Sequence, residues 1–587
     1  MRKTKIICTI GPVTETEAPM RALIENGMNV ARLNFSHADY EVHGRRIKLL
    51  KKLRTEYQTP VAILLDTKGP EVRVKSFEGG EAKLIEGSEF TLCTQDCAGD
   101  ATQVSVTYGG LADDITKGAQ ILLDDGLIEL VVQSAGKDGI VCRVVNGGVL
   151  KNNKSVNIPD VDLQMAYVSE KDRSDILFGI ENDVDYIAAS FCRSAKDVLE
   201  IRRILEKNGG KYIQIIAKIE NGSGVENIDE ILSVCDGIMV ARGDMGVEMD
   251  IVELPRIQKM LIKKAYSAGK KVITATQMLD SMIGNPRPTR AEATDVANAV
   301  YDGTSAIMLS GETAIGKYPI ESLNTMRRIA VSTEQNIRYE NRFLTKLPEF
   351  STSVTSAISQ ATCSTAHSLG ASAIIAFTKS GRTARMVSSF RPAVPIIACS
   401  PIEKTCNQLA MSWGVIPVMA QELQSTDKMF THAVTLAEST GLVNHGEVVV
   451  ITAGVPIGVS GTTNMLEVQI VGNVLVKGVG ITNKAIHGKL CVCTDGKQAR
   501  ERFEPGDILV IPKTDNDMMG ILKKASGVIA EQGGVESHAA VVGLTLGIPV
   551  LCGAENATQI LKNGTTVALD TTRGLVYTGL PKWAQGE

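Results

Sequence analysis

Eight times in the first half of the chain a short apolar run rich in β-branched residues is followed by a polar turn and an amphipathic stretch. The runs KIICTIG, NVARLNF, VAILLDT, DYIAASF, QIIAKIE, DGIMVARG, KVITATQ and TSAIMLSG begin near residues 5, 29, 61, 185, 214, 236, 271 and 304. Runs of this kind read as strands, and the amphipathic stretches as crossover helices. Neighbouring starts lie about 22 to 35 residues apart, the length of a strand, loop and helix, except for one gap of about 124 between the third and fourth. Eight such units predict a (β/α)8 TIM barrel. The long gap predicts an insertion: its runs VRVKSF, EFTLC, VSVTY, AQILLDDGLIEL and GIVCRVV are short and separated by glycine turns, as in a small β domain.

A chain of 587 residues needs several cores, three to five domains at about 100 to 200 residues each. The expected layout is a barrel over 1–69 and 169–345, an inserted β-barrel cap over 70–168, an open α/β domain over 346–475 and an appended domain over 476–587. The third of these shows TSAISQATCSTAHSLG as a helix, then the strands ASAIIAFT, VPIIACS and EVVVITAGVP. With 62 basic against 66 acidic residues, a net charge of -4 gives no footprint for nucleic acid or an anionic membrane. No apolar run reaches about 18 residues and no export signal is visible. The 12 cysteines are scattered without zinc spacing, as expected of reduced thiols in a cytoplasmic protein.

The run YIQIIAKIENGSG raises a question of charge. Side chains two apart share one face of a strand, so Lys218 and Glu220 enter whatever Ile216 enters. An edge-strand ion pair is one reading of that fragment. Barrels of this type collect their chemistry at the carboxyl ends of the strands, and polar residues cluster there. The second strand ends in Arg32, Asn34, Ser36 and His37, the third in Asp66, Thr67 and Lys68, and the fifth in Lys218 and Glu220. The sixth ends in Arg242 and Asp244, the seventh in Thr274, Thr276 and Gln277, and the eighth in Ser310 and Glu312. Two carboxylates from neighbouring strands, Glu220 and Asp244, suit one hard divalent ion, which keeps its other positions for water and substrate. Lys218 beside them and Arg32 opposite suit an anionic, phosphorylated substrate. The turn RGDMG opens a helix whose free N–H groups could bind a carboxylate.

Taken together, ARLNFSH (31–37), LDTKGPEVR (65–73), IIAKIEN (215–221), MVARGDMG (239–246), TATQMLDSM (274–282) and IMLSGETAIGKYP (307–319) closely resemble pyruvate kinase, over roughly residues 1–475. The resemblance implies transfer of a phosphoryl group from phosphoenolpyruvate to ADP, giving pyruvate and ATP in glycolysis, in a cytoplasmic homotetramer. It implies Mg2+ (or Mn2+) on Glu220 and Asp244, with a second ion arriving with the nucleotide, and K+ on Asn34, Ser36, Asp66 and the carbonyl of Thr67. Lys218 then stabilises the phosphoryl group in flight, Arg32 and Arg73 contact phosphates, and Arg73, Asn34 and His37 face the nucleotide. Substrate binding falls to Arg32, Lys218, Gly243, Asp244 and Thr276; protonation of the enolate is placed at Thr276, with Ser310 and Glu312 feeding the proton. Glu71 fits the K+-dependent branch, because a carboxylate there leaves room for a monovalent cation. Ser223, where the family more often has an acid, lies past the ligands.

In the third domain FTKSGRTARMV resembles the family's effector loop, with Thr378, Ser380, Gly381, Arg382 and Thr383 before a helix that could hold the phosphate of an allosteric effector. ITAGVPIGVSGTTN (451–464) would form the opposite wall. The appended segment resembles the phosphohistidine domain of phosphoenolpyruvate synthase and pyruvate phosphate dikinase, whose motif stands here as GGVESHAA. Glu536 beside His538 repels an incoming phosphate, and Gly543 and Leu544 replace the usual Ala-Arg, so a structural or regulatory role is expected. The competing readings are a metal-dependent lyase of the pyruvate-handling barrels, a phosphocarrier using His538, and a silent binding scaffold.

Overall fold

The computed structural model describes residues 1–137, 139–159, 161, 163–345, 353–423, 425–454, 463–472 and 474–578. The chain forms two compact units, one of residues 1–360, 377–421 and 454–463, the other of residues 361–376, 422–453 and 464–587.

In the first unit eight parallel strands close into a barrel. They are Lys5–Thr9, Val30–Asn34, Ala62–Asp66, Tyr186–Ala189, Gln214–Ile219, Gly237–Ala241, Lys271–Ala275 and Ala306–Leu309. These are the eight runs read from the sequence, in chain order around the ring, and the first pairs with the eighth at Lys5↔Ala306. Alternation sorts the side chains. Ile7, Val30, Leu64, Ile216, Met239 and Met308 belong to one buried cluster, and their sequence neighbours to a second that includes the helices. Lys218 and Glu220 share the parity of Ile216, so the fifth strand sends both to the inner face. That strand is flanked by the fourth and sixth, which removes the edge-strand reading.

The crossover helices are marked in the sequence by their starts. Ser169 with Asp172, Ser194 with Asp197 and Thr289 with Glu292 form capping boxes that satisfy amide groups of the first turn. Helix Arg290–Asp302 stops at Gly303, whose φ of +101° belongs to the left-handed region open to glycine.

The insertion after the third strand is a seven-stranded sheet running from Val72–Arg73 at one edge to Gln103–Ser105 at the other, with a two-stranded sheet beside it. Its two edges meet: Val74 bridges Val106, Lys75 N–H donates to the Ser105 carbonyl at 2.7 Å and Thr107 N–H to the Arg73 carbonyl at 2.9 Å. The expected β-barrel cap is therefore present, closed between the runs VRVKSF and VSVTY.

The remaining strands of the first unit, Ile396–Ser400 and Val415–Met419, pair in parallel. In the second unit Ala373–Phe377 pairs in parallel with Val448–Ala453, which pairs antiparallel with Met465–Ile470. The appended segment has its own eight-stranded mixed sheet, in which Ala485–Val492, Ile508–Ile511, Gly527–Ala530 and Val550–Cys552 run parallel. All 12 cysteines are free, and no described helix is long and apolar enough to cross a membrane.

Candidate active site

Closure of the barrel brings three charged strand ends together. The Lys218 ammonium lies 3.1 Å from Asp66 Oδ1, 3.0 Å from Glu220 Oε1 and 2.7 Å from Ser190 Oγ. Arg32 clamps Asp66 Oδ2 through Nε at 2.6 Å and Nη2 at 2.6 Å, and its Nη1 reaches Thr9 Oγ1 at 3.0 Å. Burial alone would lower the Lys218 pKa, but the Asp66 and Glu220 carboxylates outweigh it and hold the ammonium above its ordinary range. Asp66 is likewise fully buried, and Lys218 and Arg32 overcome that burial to keep its carboxyl below the usual value.

Glu220 is the exception in this cluster. Its Oε2 accepts the Phe191 N–H at 2.6 Å, while Oε1 makes no hydrogen bond although Lys218 stands near it. Desolvation pushes this carboxyl up, opposed by Lys218 and reinforced by Asp244. An additional cation at Glu220 and Asp244 would relieve Glu220. No group of three or more His, Cys, Asp or Glu able to hold a metal occurs among the described residues, so the carboxylate pair stands by itself.

Asp244 lies on the helix Arg242–Glu248 and lines a cavity of about 420 Å³ between cap and barrel, together with Glu71, Arg73, Arg193, Glu226 and Glu248. Arg73 forks onto Glu71, with Nε to Oε1 at 2.7 Å and Nη2 to Oε2 at 2.9 Å, and Lys68 adds a contact at 3.2 Å. The Glu71 charge is thus already matched by two cations of the cap hinge.

A second group sits on the seventh strand. Thr276 has φ +66° and Gln277 φ +52°, conformations that non-glycine residues hold only where surroundings impose them. Here Arg242 imposes them. Its Nη2 donates to the Thr276 carbonyl at 2.6 Å, its Nε to the Ala275 carbonyl at 3.1 Å, and its Nη1 to Asp295 at 2.5 Å. Thr276 Oγ1 accepts the Gly243 N–H at 2.7 Å. After the eighth strand, on helix Gly311–Ala314, Glu312 accepts the N–H groups of Ser310 at 2.7 Å and Leu279 at 3.0 Å. The Ser310 hydroxyl is buried without a partner, so the structure joins Glu312 to the Ser310 backbone and not to its hydroxyl.

Asn34 Oδ1 accepts the Ser36 N–H at 3.1 Å, and the Thr67 carbonyl accepts Ser190 Oγ at 2.7 Å. Ser36 and His37 are exposed. The His37 carbonyl lies 2.8 Å from His43 Nε2, whose buried ring stacks on Phe35 and is pushed down to about 4 by burial. The effector-loop residues lie elsewhere. Gly381, at φ +76°, precedes helix Arg382–Ser389, Thr378 is buried, Arg382 is exposed, and Thr383 Oγ1 meets Thr463 Oγ1 at 2.8 Å. Most of the proposed opposite wall, residues 455–462, is outside the described residues.

Sequence reading placed the fourth strand but missed the site residues that follow it. Ser190 and the Phe191 N–H, from DYIAASF, lie at the centre of the charged cluster, and Phe191 holds φ +52°. One serine after two alanines carries no distinguishing signal.

Comparison with known proteins decides the lineage. The family model "Pyruvate kinase, barrel domain" matches residues 1–323. The chain belongs to the pyruvate kinase family. The family's alpha/beta domain matches residues 356–469, and the mobile domain of PEP-utilising enzymes matches residues 503–574. A pyruvate kinase of Geobacillus stearothermophilus is 52% identical over 580 residues, covering 98% of this chain and 99% of its own length. One from Bacillus licheniformis is 50% identical over 581 residues, covering 99% of each, and one from Staphylococcus saprophyticus 47% identical over the same share. The relatives match through the appended segment as well. Membership of this family makes the chain a phosphotransferase and gives no support to the lyase or phosphocarrier readings.

Proposed function

We propose that the chain transfers the phosphoryl group of phosphoenolpyruvate to ADP, forming pyruvate and ATP. The observation that carries this reading is the buried Lys218 ammonium between Asp66 and Glu220 at the carboxyl end of the barrel. Phosphoryl transfer needs charge neutralisation and alignment more than covalent chemistry. Lys218 is assigned to the charge on the moving phosphoryl group, and Arg32 to orienting it. Thr276, held by Arg242 and Gly243, presents its hydroxyl beside the enolate carbon. Arg73 and Asn34, with His37, are assigned to the nucleotide, and closure of the cap excludes water that would hydrolyse the donor.

The residues fit the expected ions. Glu220 Oε1, buried and without a hydrogen bond, together with Asp244, suits Mg2+ or Mn2+, which when bound polarises the substrate oxygens and offsets their charge. Asn34, Ser36, Asp66 and the Thr67 carbonyl form an oxygen-only set suited to K+. Ser310 remains the proposed proton source near Thr276 through its unpartnered hydroxyl, without Glu312 as its direct partner. A phosphorylated effector is assigned to Thr378, Ser380, Gly381, Arg382 and Thr383. A homotetramer in the cytoplasm and the four-domain layout of the sequence reading complete the proposal. The appended domain is assigned a structural or regulatory role, supported by His538, whose Nδ1 lies 2.9 Å from Thr514 Oγ1 and Nε2 3.0 Å from Asn516 Oδ1. Both ring nitrogens are thereby engaged. A coupled assay of pyruvate formation from phosphoenolpyruvate and ADP, with Mg2+ and with K+ present or replaced, tests the reading; no pyruvate under any of these conditions rejects it.

A further inference from the structure

At the amino end of the barrel a second cavity, of about 270 Å³, is lined by Lys270, Lys271, Arg382, Arg385 and Arg391. The one carboxylate on its wall, Asp236, is already held by Arg202 at 2.6 Å and by the Ile215 N–H at 2.9 Å. No salt bridge joins any of the five cations to a carboxylate among the described residues. Their partners are neutral: Lys270 donates to the Cys235 carbonyl at 2.7 Å, Lys271 to Gln214 Oε1 at 2.7 Å and Arg385 to the Ser380 carbonyl at 3.0 Å. Arg391, 4% exposed, donates to the Gly303 carbonyl and Ser305 Oγ, both at 3.0 Å. Its Nε is buried with no partner. The Arg391 guanidinium also lies 4.7 Å from the Trp413 ring centre and 5.6 Å from that of Tyr266, so aromatic walls hold it in place.

Lys271 and Arg391 are buried and Lys270 and Arg385 half-buried, so their like charges repel one another and lose hydration; neutral acceptors repay only part of that cost. Burial and then Arg385 lower the Lys271 pKa to about 7, and burial lowers that of Arg391 to about 10. An anion is the partner this wall lacks. Planar guanidinium forks match phosphate oxygens, and a cavity smaller than the roughly 300 to 1,000 Å³ of drug-sized ligand pockets admits only a compact one. We propose that this cavity is a binding site for a small phosphate-class dianion, separate from the active site and from the N-terminal turn of the effector-loop helix, with which it shares Arg382. An occupant would tie Lys270 and Lys271, at the start of the seventh barrel strand, to Arg385 and Arg391 of the segment 377–421, and so couple two parts of one unit.

The test is calorimetric titration of the full chain at fixed ionic strength, with inorganic phosphate in one arm and glycerol phosphate, a monoester, in the other. The thermal unfolding midpoint is followed alongside. Binding is expected in the wild type with a rise in midpoint, and Lys271→Gln and Arg385→Gln each weaken it by about tenfold or more, as loss of a desolvated charge partner does. Tighter binding of the monoester assigns the site to an ester, and equal binding assigns it to free phosphate. The phosphate-free midpoints of the variants report that they fold. Absence of binding in the wild type overturns the site, as does binding that survives both substitutions. Binding lost in Thr378→Ala/Ser380→Ala but kept in Lys271→Gln also overturns it, and gives the phosphate to the effector loop.

Discussion

Lys218 and Lys271 occupy opposite ends of one closed sheet, and both are less than a tenth exposed. Lys218 lies between two carboxylates that hold its proton on; Lys271 faces a glutamine amide, and burial with the nearby Arg385 and Lys270 outweighs Asp236, so its pKa falls to about 7. Burial acts on both alike, so the partners make the difference. At the carboxyl end the charges are compensated within the fold, leaving Glu220 Oε1 beside Lys218 but without a hydrogen bond, where a further cation is wanted. At the amino end the one carboxylate on the wall, Asp236, compensates only in part. The first arrangement is prepared for chemistry on a phosphate; the second is a standing electrostatic cost that a ligand or a substitution can relieve.

The comparison breaks most sharply at Lys218. Lys218→Met is expected to cut phosphoryl transfer by a factor on the order of 100 to 1,000 with the fold retained, because one charge-stabilising donor is lost at a strand end. Turnover near the wild-type rate, measured in the coupled assay, would remove Lys218 from the mechanism. Next in size is the cation requirement. Stripping divalent ions with a chelator is expected to stop pyruvate formation, and exchanging K+ for tetramethylammonium to remove most of it; full activity in tetramethylammonium refutes the monovalent site.

At the amino end the expectation concerns stability. The unfolded chain keeps a proton on Lys271 up to about its ordinary 10.5, whereas the folded chain releases it near 7. Between those values the unfolded state binds more protons, so this group's contribution rises with pH, is complete above 10.5 and is lost as pH falls through 7. Lys5, also lowered to about 7 by burial, acts in the same direction. Lys271→Gln is therefore expected to raise the thermal midpoint in phosphate-free buffer at neutral pH, with the gain shrinking toward pH 10. A midpoint that falls at neutral pH contradicts the uncompensated charge. The smallest effect is expected in the appended domain: removing residues 476–587, or changing His538→Ala, leaves the catalytic constants largely intact while shifting stability or effector response. Acid-labile phosphate on His538 in mass spectrometry, or loss of activity in His538→Ala, would show that this domain takes part in the chemistry.

Pairings across the sequence account for most of what sequence reading could not resolve. Glu71 reads as a carboxylate left open for a monovalent cation, yet Arg73 and Lys68 already hold it. Glu312 reads, together with Ser310, as feeding the proton at Thr276, yet its oxygens take backbone N–H groups of two segments. Ser190 gives no local signal, and its place in the cluster follows from the register Ala188↔Asp66 and Ala189↔Ala217, which sets the fourth strand between the third and fifth. The two cavities are lined from segments far apart in the chain.

The sequence by itself determined the eight barrel strands, the insertion, and the face that Lys218 and Glu220 share with Ile216, because strand periodicity and turn glycines act over a few residues. The tertiary structure decided which charges are compensated. Asp66 and Lys218 are 152 positions apart, and Lys271 and Arg385 are 114 apart, by difference of their residue numbers. Coulomb energy depends on spatial separation and on the exclusion of water. Both are set only when the barrel closes and its two ends are covered.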